Sequence, residues 1–334
     1  VESLYFGGGT PSLLDPAQVE RLLNGICASY RLTKECEVTL EVNPASNAGE
    51  KLKAYRSAGI NRLSMGVQSF SDENLKFLGR LHRGEESRKV FADARRAGFE
   101  NISMDLIFAL PGQEKAQLLT DLEMATALDP EHLSLYLLTL EEGTPLHESA
   151  RRGDFIPASD AAQQALFFLA ANYLSRKGYL RYETSNYARP GRHSRHNMRY
   201  WQGGDYIGLG AGAHSYFSEP GWGMRWWNPD PAKTYEDCIK AGFMPLESLE
   251  ILDRKEAMRE MLLTALRTRE GLSDALVRKR FGLSLYEVVS KKALKCLPSD
   301  LYRSDRDKLY LTGKGVLLTD EIAAVSYTHL TLPT

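Results

Sequence analysis

Between Ser3 and Leu146 the chain alternates five times between short apolar stretches and stretches of helical periodicity. The apolar stretches are Ser3–Phe6, 37–44 (EVTLEVNP), 61–70 (NRLSMGVQSF), 102–112 (ISMDLIFALPG) and 131–146 (EHLSLYLLTLEEGTPL). Helical stretches lie between them: Asp15–Tyr30, a segment closed by Gly59, residues 84–99 and the run EKAQLLTDLEMATAL. Asp15 reads as an N-cap before Pro16 at the first helical position. The strands read as apolar runs more than as strict alternation, which suits a parallel sheet covered by helices. This repetition sets the expected class as α/β, a barrel-like sheet with the functional residues on the loops after each strand.

That rule selects residues from five successive strands: Gly8, Gly9 and Thr10, then Glu41, Gln68, Asp105 and Thr139. The glycines allow positive φ and close approach of backbone to a ligand. They match neither a P-loop nor G-x-G-x-x-G. A tight turn is their plain structural reading. Glu41 lies between Leu40 and Val42, so a buried Glu41 needs a partner, whereas alternation also permits it to face solvent. Gln68 carries a donor and an acceptor suited to hydroxyls, or serves as a strand-end cap. Asp105 interrupts an apolar strand, where charge is uncommon. Arg80 supplies a counter-charge for a carboxylate, or is an ordinary surface arginine. Together these residue types describe a pocket for a zwitterion that carries a sugar.

The chain has 334 residues, 43% hydrophobic and 25% charged, with a net charge of −1. This balance argues against nucleic acid as a partner. No apolar run is long enough to span a membrane. Cys27, Cys36, Cys238 and Cys296 are far apart and form no C-x-x-C pair, which points to reduced thiols and a cytoplasmic protein. The first residue is Val1, so a fragment is expected.

The second half changes character. Residues 157–179 read as a long helix, and residues 180–228 are rich in Gly, Arg, Asn and aromatics with little periodicity. The run from 253 to 320 reads as a small, mostly helical, winged-helix-like domain ending in a hairpin and a helix. The expected division is 1–150 for the barrel, 151–235 for an extension, 236–324 for the helical domain and 325–334 for a non-native tail.

The segments YFGGGTPSLL, EVNP, RLSMGVQSF, LGRLHR, MDLIFALPGQ, LSLYLLTLEEGTPL and YETSNYARPGRHSRHNMRYW occur in this order. Jointly they resemble the radical S-adenosylmethionine family of oxygen-independent coproporphyrinogen III oxidases, and within it the HemW branch of heme chaperones. The resemblance extends to about residue 324. It implies a partial (β/α) barrel that binds S-adenosylmethionine. Gly8, Gly9 and Thr10 would meet the methionine moiety, Glu41 and Arg80 its amino-acid end, Gln68 and Asp105 the ribose, and Thr139 the adenine. The family holds a [4Fe–4S] cluster on a C-x-x-x-C-x-x-C loop before the glycine motif. Only six residues precede Gly7 here and none is Cys, so the expectation is a chain cut at its N-terminus, its first barrel strand and cluster ligands lying upstream.

HNMRYW at 196–201 resembles the branch motif associated with heme. It implies His196 as a ligand to heme iron, with Tyr200 and Trp201 against the macrocycle. An ordinary loop histidine capping backbone groups is the alternative. His193 lies three residues earlier, without further ligands clustered near it, and Arg189, Arg192, Arg195 and Arg199 offer pairs for porphyrin carboxylates. The expected function is a heme-trafficking protein that binds heme and S-adenosylmethionine and delivers heme to an acceptor protein. The alternative is coproporphyrinogen III dehydrogenase, in which a 5′-deoxyadenosyl radical leads to decarboxylation of propionate side chains.

Overall fold

The structure is a computed structural model that describes residues 1–46, 48–289, 297–305, 307–319 and 322. Cys296 and the tail 325–334 lie outside the described residues. The chain forms two compact units, Val1–His196 and Asn197–Thr334.

In the first unit, five strands run parallel in sequence order: β1 (Ser3–Phe6), β2 (Glu37–Val42), β3 (Arg62–Gln68), β4 (Ile102–Phe108) and β5 (His132–Leu137). Two short strands, β6 (Leu180–Arg181) and β7 (Asn186–Ala188), extend the sheet beyond β5, with β7 antiparallel to both neighbours. Helices lie between successive parallel strands, which need such crossover connections to pair in parallel. They are α1 (Pro16–Ser29), α2 (Ala48–Ala58), α3 (Asp72–Phe77), α4 (Gly84–Arg96) and α5 (Lys115–Ala127), with α6 (Pro145–Arg152) and α7 (Asp160–Arg176) after β5. The expected start of α1 is present: Asp15 is its N-cap, Pro16 its first residue, and the Gln18 side chain accepts from the Asp15 N–H at 2.8 Å. The strands at 102 and 132 end earlier than expected, at Phe108 and Leu137. Beyond these points the chain turns into loops that carry polar residues.

The strands are not plain apolar runs. Val38, Leu40 and Val42 alternate with Glu37, Thr39 and Glu41, and Leu63, Met65 and Val67 alternate with Arg62, Ser64 and Gln68. In β4 and β5, Ser103 and Asp105, then His132, Ser134 and Tyr136, take the same positions. The register pairs Glu41 with Ser64, Ser64 with Ser103, Ser103 with His132 and Asp105 with Ser134, so these side chains share one face. The other face is apolar and buried, with Leu40, Leu63, Met65, Met104 and Leu133 almost fully enclosed. Both faces are largely removed from water, which hid the alternation: one face is covered because it is greasy, the other because it lines a polar interior.

The second unit contains two antiparallel sheets. One has the order β10 (Ser248–Ile251), β9 (Met224–Trp227), β8 (His214–Phe217). The other has the order β11 (Leu272–Ser273), β13 (Lys308–Leu311), β12 (Tyr302–Ser304). The segment 180–228, read as aperiodic, therefore holds four short strands and the helix α8 (Arg195–Trp201), each too short to show a period. After α8, the described residues of the second unit include the helices α9 (Ala232–Lys240), α10 (Arg254–Leu266), α11 (Asp274–Phe281), α12 (Leu285–Val288) and α13 (Gly313–Val316). The β12–β13 pair is a C-terminal hairpin that begins at Tyr302, upstream of the one the sequence predicts within 308–325, where only Lys308–Leu311 is a strand and Gly313–Val316 is helical; α10 to α12 with their small sheet form the helical, winged-helix-like region.

Candidate functional site

The polar face of the first sheet is built from hydroxyls placed around two carboxylates. Tyr5 OH donates to Glu41 Oε1 at 2.7 Å, and the Gly8 backbone N–H donates to Glu41 Oε2 at 3.3 Å. Ser64 Oγ donates to Asp105 Oδ2 at 3.0 Å, and Ser103 Oγ donates to Asp105 Oδ1 at 3.3 Å. Deeper in the interior, Ser103 Oγ lies 2.7 Å from His132 Nδ1, and His132 Nε2 lies 2.8 Å from Tyr182 OH.

This environment shifts several groups. Burial raises the Asp105 carboxyl above its ordinary range, and the Glu41 carboxylate adds to the rise, while Ser134, Ser64 and Arg62 oppose it. Burial, then the Glu41 and Asp105 carboxylates, push the Tyr5 phenol up. Burial, then Arg62 and His193, hold His132 well below the usual histidine value. The interior also carries polar atoms that it does not satisfy itself. Thr39 Oγ1, Arg62 Nε and Asn186 Oδ1 have no hydrogen-bond partner among the described residues, as in a site that water or a polar ligand fills.

The mouth shows backbone conformations suited to a ligand loop. Gly8 and Gly9 have φ of 77° and 60°, and a Cβ on either would meet nothing within 4 Å. At the C-terminal ends of β3 and β4, Gln68 and Ala109 hold φ of 64° and 60° without being glycine. Such strain persists only where neighbours enforce it, and it clusters at functional sites. Asp121 of α5 does so after β3: its carboxylate accepts from Ser69 Oγ at 2.7 Å and from the Phe70 N–H at 2.8 Å. Gln113 Oε1 accepts from the Ala109 N–H at 2.7 Å after β4.

Of the residues expected from sequence, the fold brings Gly8 and Glu41 into contact and sets Asp105 on the same face. Thr10 caps the turn Pro11–Leu13 through its carbonyl. Gln68 is buried at the end of β3. Arg80 is exposed after α3, and Thr139 is exposed with its hydroxyl on the Leu137 carbonyl at 3.3 Å. No hydrogen bond or ion pair among the described residues joins Arg80 or Thr139 to the carboxylates. Tyr5, Ser64, Ser103, His132 and Asp121 were not singled out from sequence. Their only signal there was the polar phase of the alternation, and for Asp121 not even that.

The HNMRYW motif straddles the two units. His196 is the last residue of the first. Its ring stacks on Tyr5 with centroids 4.6 Å apart, its Nδ1 lies 3.4 Å from Ser3 Oγ, and its backbone N–H donates to Glu37 Oε1 at 3.2 Å. Burial, then Arg62, lower its pKa to about 4. Tyr200 and Trp201 belong to the second unit. There they line a cavity of about 400 Å³ with Tyr206, Tyr216, Arg225 and Arg280, and the Arg267 guanidinium sits 5.6 Å over the Trp201 ring. Three of the four arginines expected to face porphyrin carboxylates are engaged elsewhere. Arg189 pairs with Asp129 and stacks over Tyr179, Arg195 donates to the Glu35 carbonyl, and Arg199 Nε donates to the Asp205 carbonyl at 3.5 Å. His193 stacks on Tyr182. Among the described residues no group of three or more His, Cys, Asp or Glu is placed to hold a metal ion. No helix among them is long and apolar enough to cross a membrane.

Residues 1–125 match the radical SAM superfamily and residues 252–318 match the HemN C-terminal domain. Heme chaperone HemW of Bacillus subtilis is 33% identical over 323 residues, which cover 96% of this chain and 84% of that protein. Heme chaperone HemW of Escherichia coli K12 is 41% identical over 220 residues, 66% of this chain and 57% of that protein. The solved structure of coproporphyrinogen III oxidase (HemN) from Escherichia coli, described as a radical SAM enzyme, aligns with a TM-score of 0.80 at 25% identity, over 99% of this chain and 78% of that one. On this shared sequence and fold, the chain belongs to the HemN/HemW-like family of radical SAM proteins.

Proposed function

We propose that this protein is a cytoplasmic heme-trafficking protein that binds S-adenosylmethionine at the mouth of its parallel sheet and heme through His196, and passes heme to an acceptor protein. The observation that carries the first half is the Gly8–Glu41–Asp105 constellation. A carboxylate held by a backbone N–H and a tyrosine hydroxyl suits an ammonium group, and a second carboxylate held by two serines suits ribose hydroxyls. The open space beside two left-handed glycines fits the methionine end. Arg80 is assigned to the ligand carboxylate, Gln68 to the ribose and Thr139 to the adenine. Among the described residues no set of side chains is placed to hold a [4Fe–4S] cluster. In this family S-adenosylmethionine is the source of radical chemistry; the protein groups here bind and orient it and screen it from water.

For heme, the support is chemical. A histidine held neutral at pH 7 is the form that ligates iron, and His196 is so held. The motif HNMRYW that His196 opens adds to this, since the heme chaperones HemW are among the relatives of this chain. The test is titration with hemin of the protein and of His196→Ala. The expected result is a changed Soret band and affinity weaker by at least about tenfold, since losing even an outer-shell partner of a metal ligand costs about that much. An unchanged spectrum and affinity overturns the ligand.

The second reading, coproporphyrinogen III oxidase, is favoured by one observation, the HemN likeness over 99% of the chain. Decarboxylation of coproporphyrinogen III by the cluster-loaded protein decides for it, and no product decides against it.

A further inference from the structure

One strand touches both proposed ligand sites. On β1, Ser3 and Tyr5 are two residues apart and share the polar face. Tyr5 divides its work. Its hydroxyl fixes Glu41 Oε1 at 2.7 Å, while its ring carries His196 at 4.6 Å with planes 15° apart. Ser3 Oγ meets His196 Nδ1 at 3.4 Å. The space around Tyr5 is reserved for this arrangement. A Cβ on Gly7 would lie 2.6 Å from the Tyr5 ring and 3.0 Å from Glu41 Oε1. Glu37 anchors the approach, accepting the Arg195 and His196 N–H groups, both at 3.2 Å, through its two carboxylate oxygens.

We propose that Tyr5 is a positioning residue that couples the two sites: its hydroxyl orients Glu41 for the ammonium group of S-adenosylmethionine, and its ring holds His196 in place for heme. The inference rests on the functional reading above. A ligand ammonium that locks Glu41 also locks the Tyr5 rotamer, and a locked ring presents His196 in one orientation. Occupancy of one site therefore strengthens the other, and linkage requires the factor to be the same in both directions. Neither ligand needs to touch the other for this to hold.

The experiment compares the full chain with Tyr5→Phe, Tyr5→Leu and His196→Ala, using calorimetry with S-adenosylmethionine and hemin titration read at the Soret band. Tyr5→Phe keeps the stack and loses the hydroxyl. Loss of one net hydrogen bond predicts S-adenosylmethionine binding weaker by about five-fold to tenfold, with the heme spectrum retained. Tyr5→Leu also loses the stack, and its heme spectrum shifts toward that of His196→Ala. In the wild type, saturating S-adenosylmethionine tightens hemin binding; in Tyr5→Phe that gain disappears. Unchanged S-adenosylmethionine affinity in Tyr5→Phe, or the same gain in both proteins, overturns the coupling. If His196→Ala binds hemin as the wild type does, the heme reading fails, and with it the coupling. The Tyr5→Phe affinity then still judges the orientation of Glu41 separately.

Discussion

Asp121 on α5 holds the loop after β3 by accepting from the Ser69 hydroxyl at 2.7 Å and from the neighbouring Phe70 N–H. The carboxylate is buried, and that burial raises its pKa. Its partners sit directly after Gln68, whose φ of 64° needs outside support. Asp121→Ala leaves a buried hydroxyl and a buried N–H without their acceptor. Each costs about 1–3 kcal/mol, so denaturant unfolding will show a loss of a few kcal/mol, and S-adenosylmethionine affinity will fall although Asp121 touches no ligand.

Asp105 trades stability for binding. Its folded pKa is raised above the ordinary value of 3.8, mainly by burial. The fold therefore binds the proton more tightly than the unfolded chain does. That contribution is complete below about 3.8 and is lost as pH rises through the raised value. Asp105→Asn removes the titration, so the stability difference between variant and wild type moves in favour of the variant as pH rises. Melting temperatures across that range check the sign. In calorimetry, both Asp105→Asn and Asp105→Ala bind S-adenosylmethionine more weakly.

His132 works in the opposite sense. Burial, then Arg62, keeps its imidazole neutral far below 6.5. As pH falls below 6.5, the unfolded chain takes up a proton that the fold refuses, and stability drops. The slope for one such proton is about 1.4 kcal/mol per pH unit. His132→Asn cannot take up that proton and will flatten the acid limb of a stability–pH curve at constant ionic strength. An equally steep limb in the variant assigns the acid sensitivity to other groups.

Gly8 separates strain from occupancy. A methyl at this position meets no protein atom within 4 Å, so Gly8→Ala carries only the cost of the left-handed conformation, φ 77°. That is about 1–2 kcal/mol. Because the methyl projects into the open space assigned to the ligand, affinity for S-adenosylmethionine will fall by more than the melting temperature alone explains.

The sheet was readable because a five-fold strand–helix rhythm leaves little else for a chain to do. Glu41 and Asp105 were readable because a carboxylate within an apolar strand demands an explanation. The meaning of Ser64, Ser103 and His132 was not readable. In sequence they look like breaks in apolar runs, and only the parallel register turns them into one continuous face. Gly7 through Thr10 first presented as a turn of ambiguous purpose. The left-handed geometry of Gly8 and Gly9 and the Glu41 contact make it one wall of the candidate site.

By itself the sequence determined the order of strands and helices and the covered parallel sheet. These follow from local periodicity and from turn residues, which act over a few neighbours. Only the tertiary structure decided which polar groups meet. Tyr5 and Glu41 are 36 residues apart, Ser69 and Asp121 are 52 apart, and Ser3 and His196 are 193 apart. Such pairings are set by strand register and crossover packing, and no local pattern encodes them.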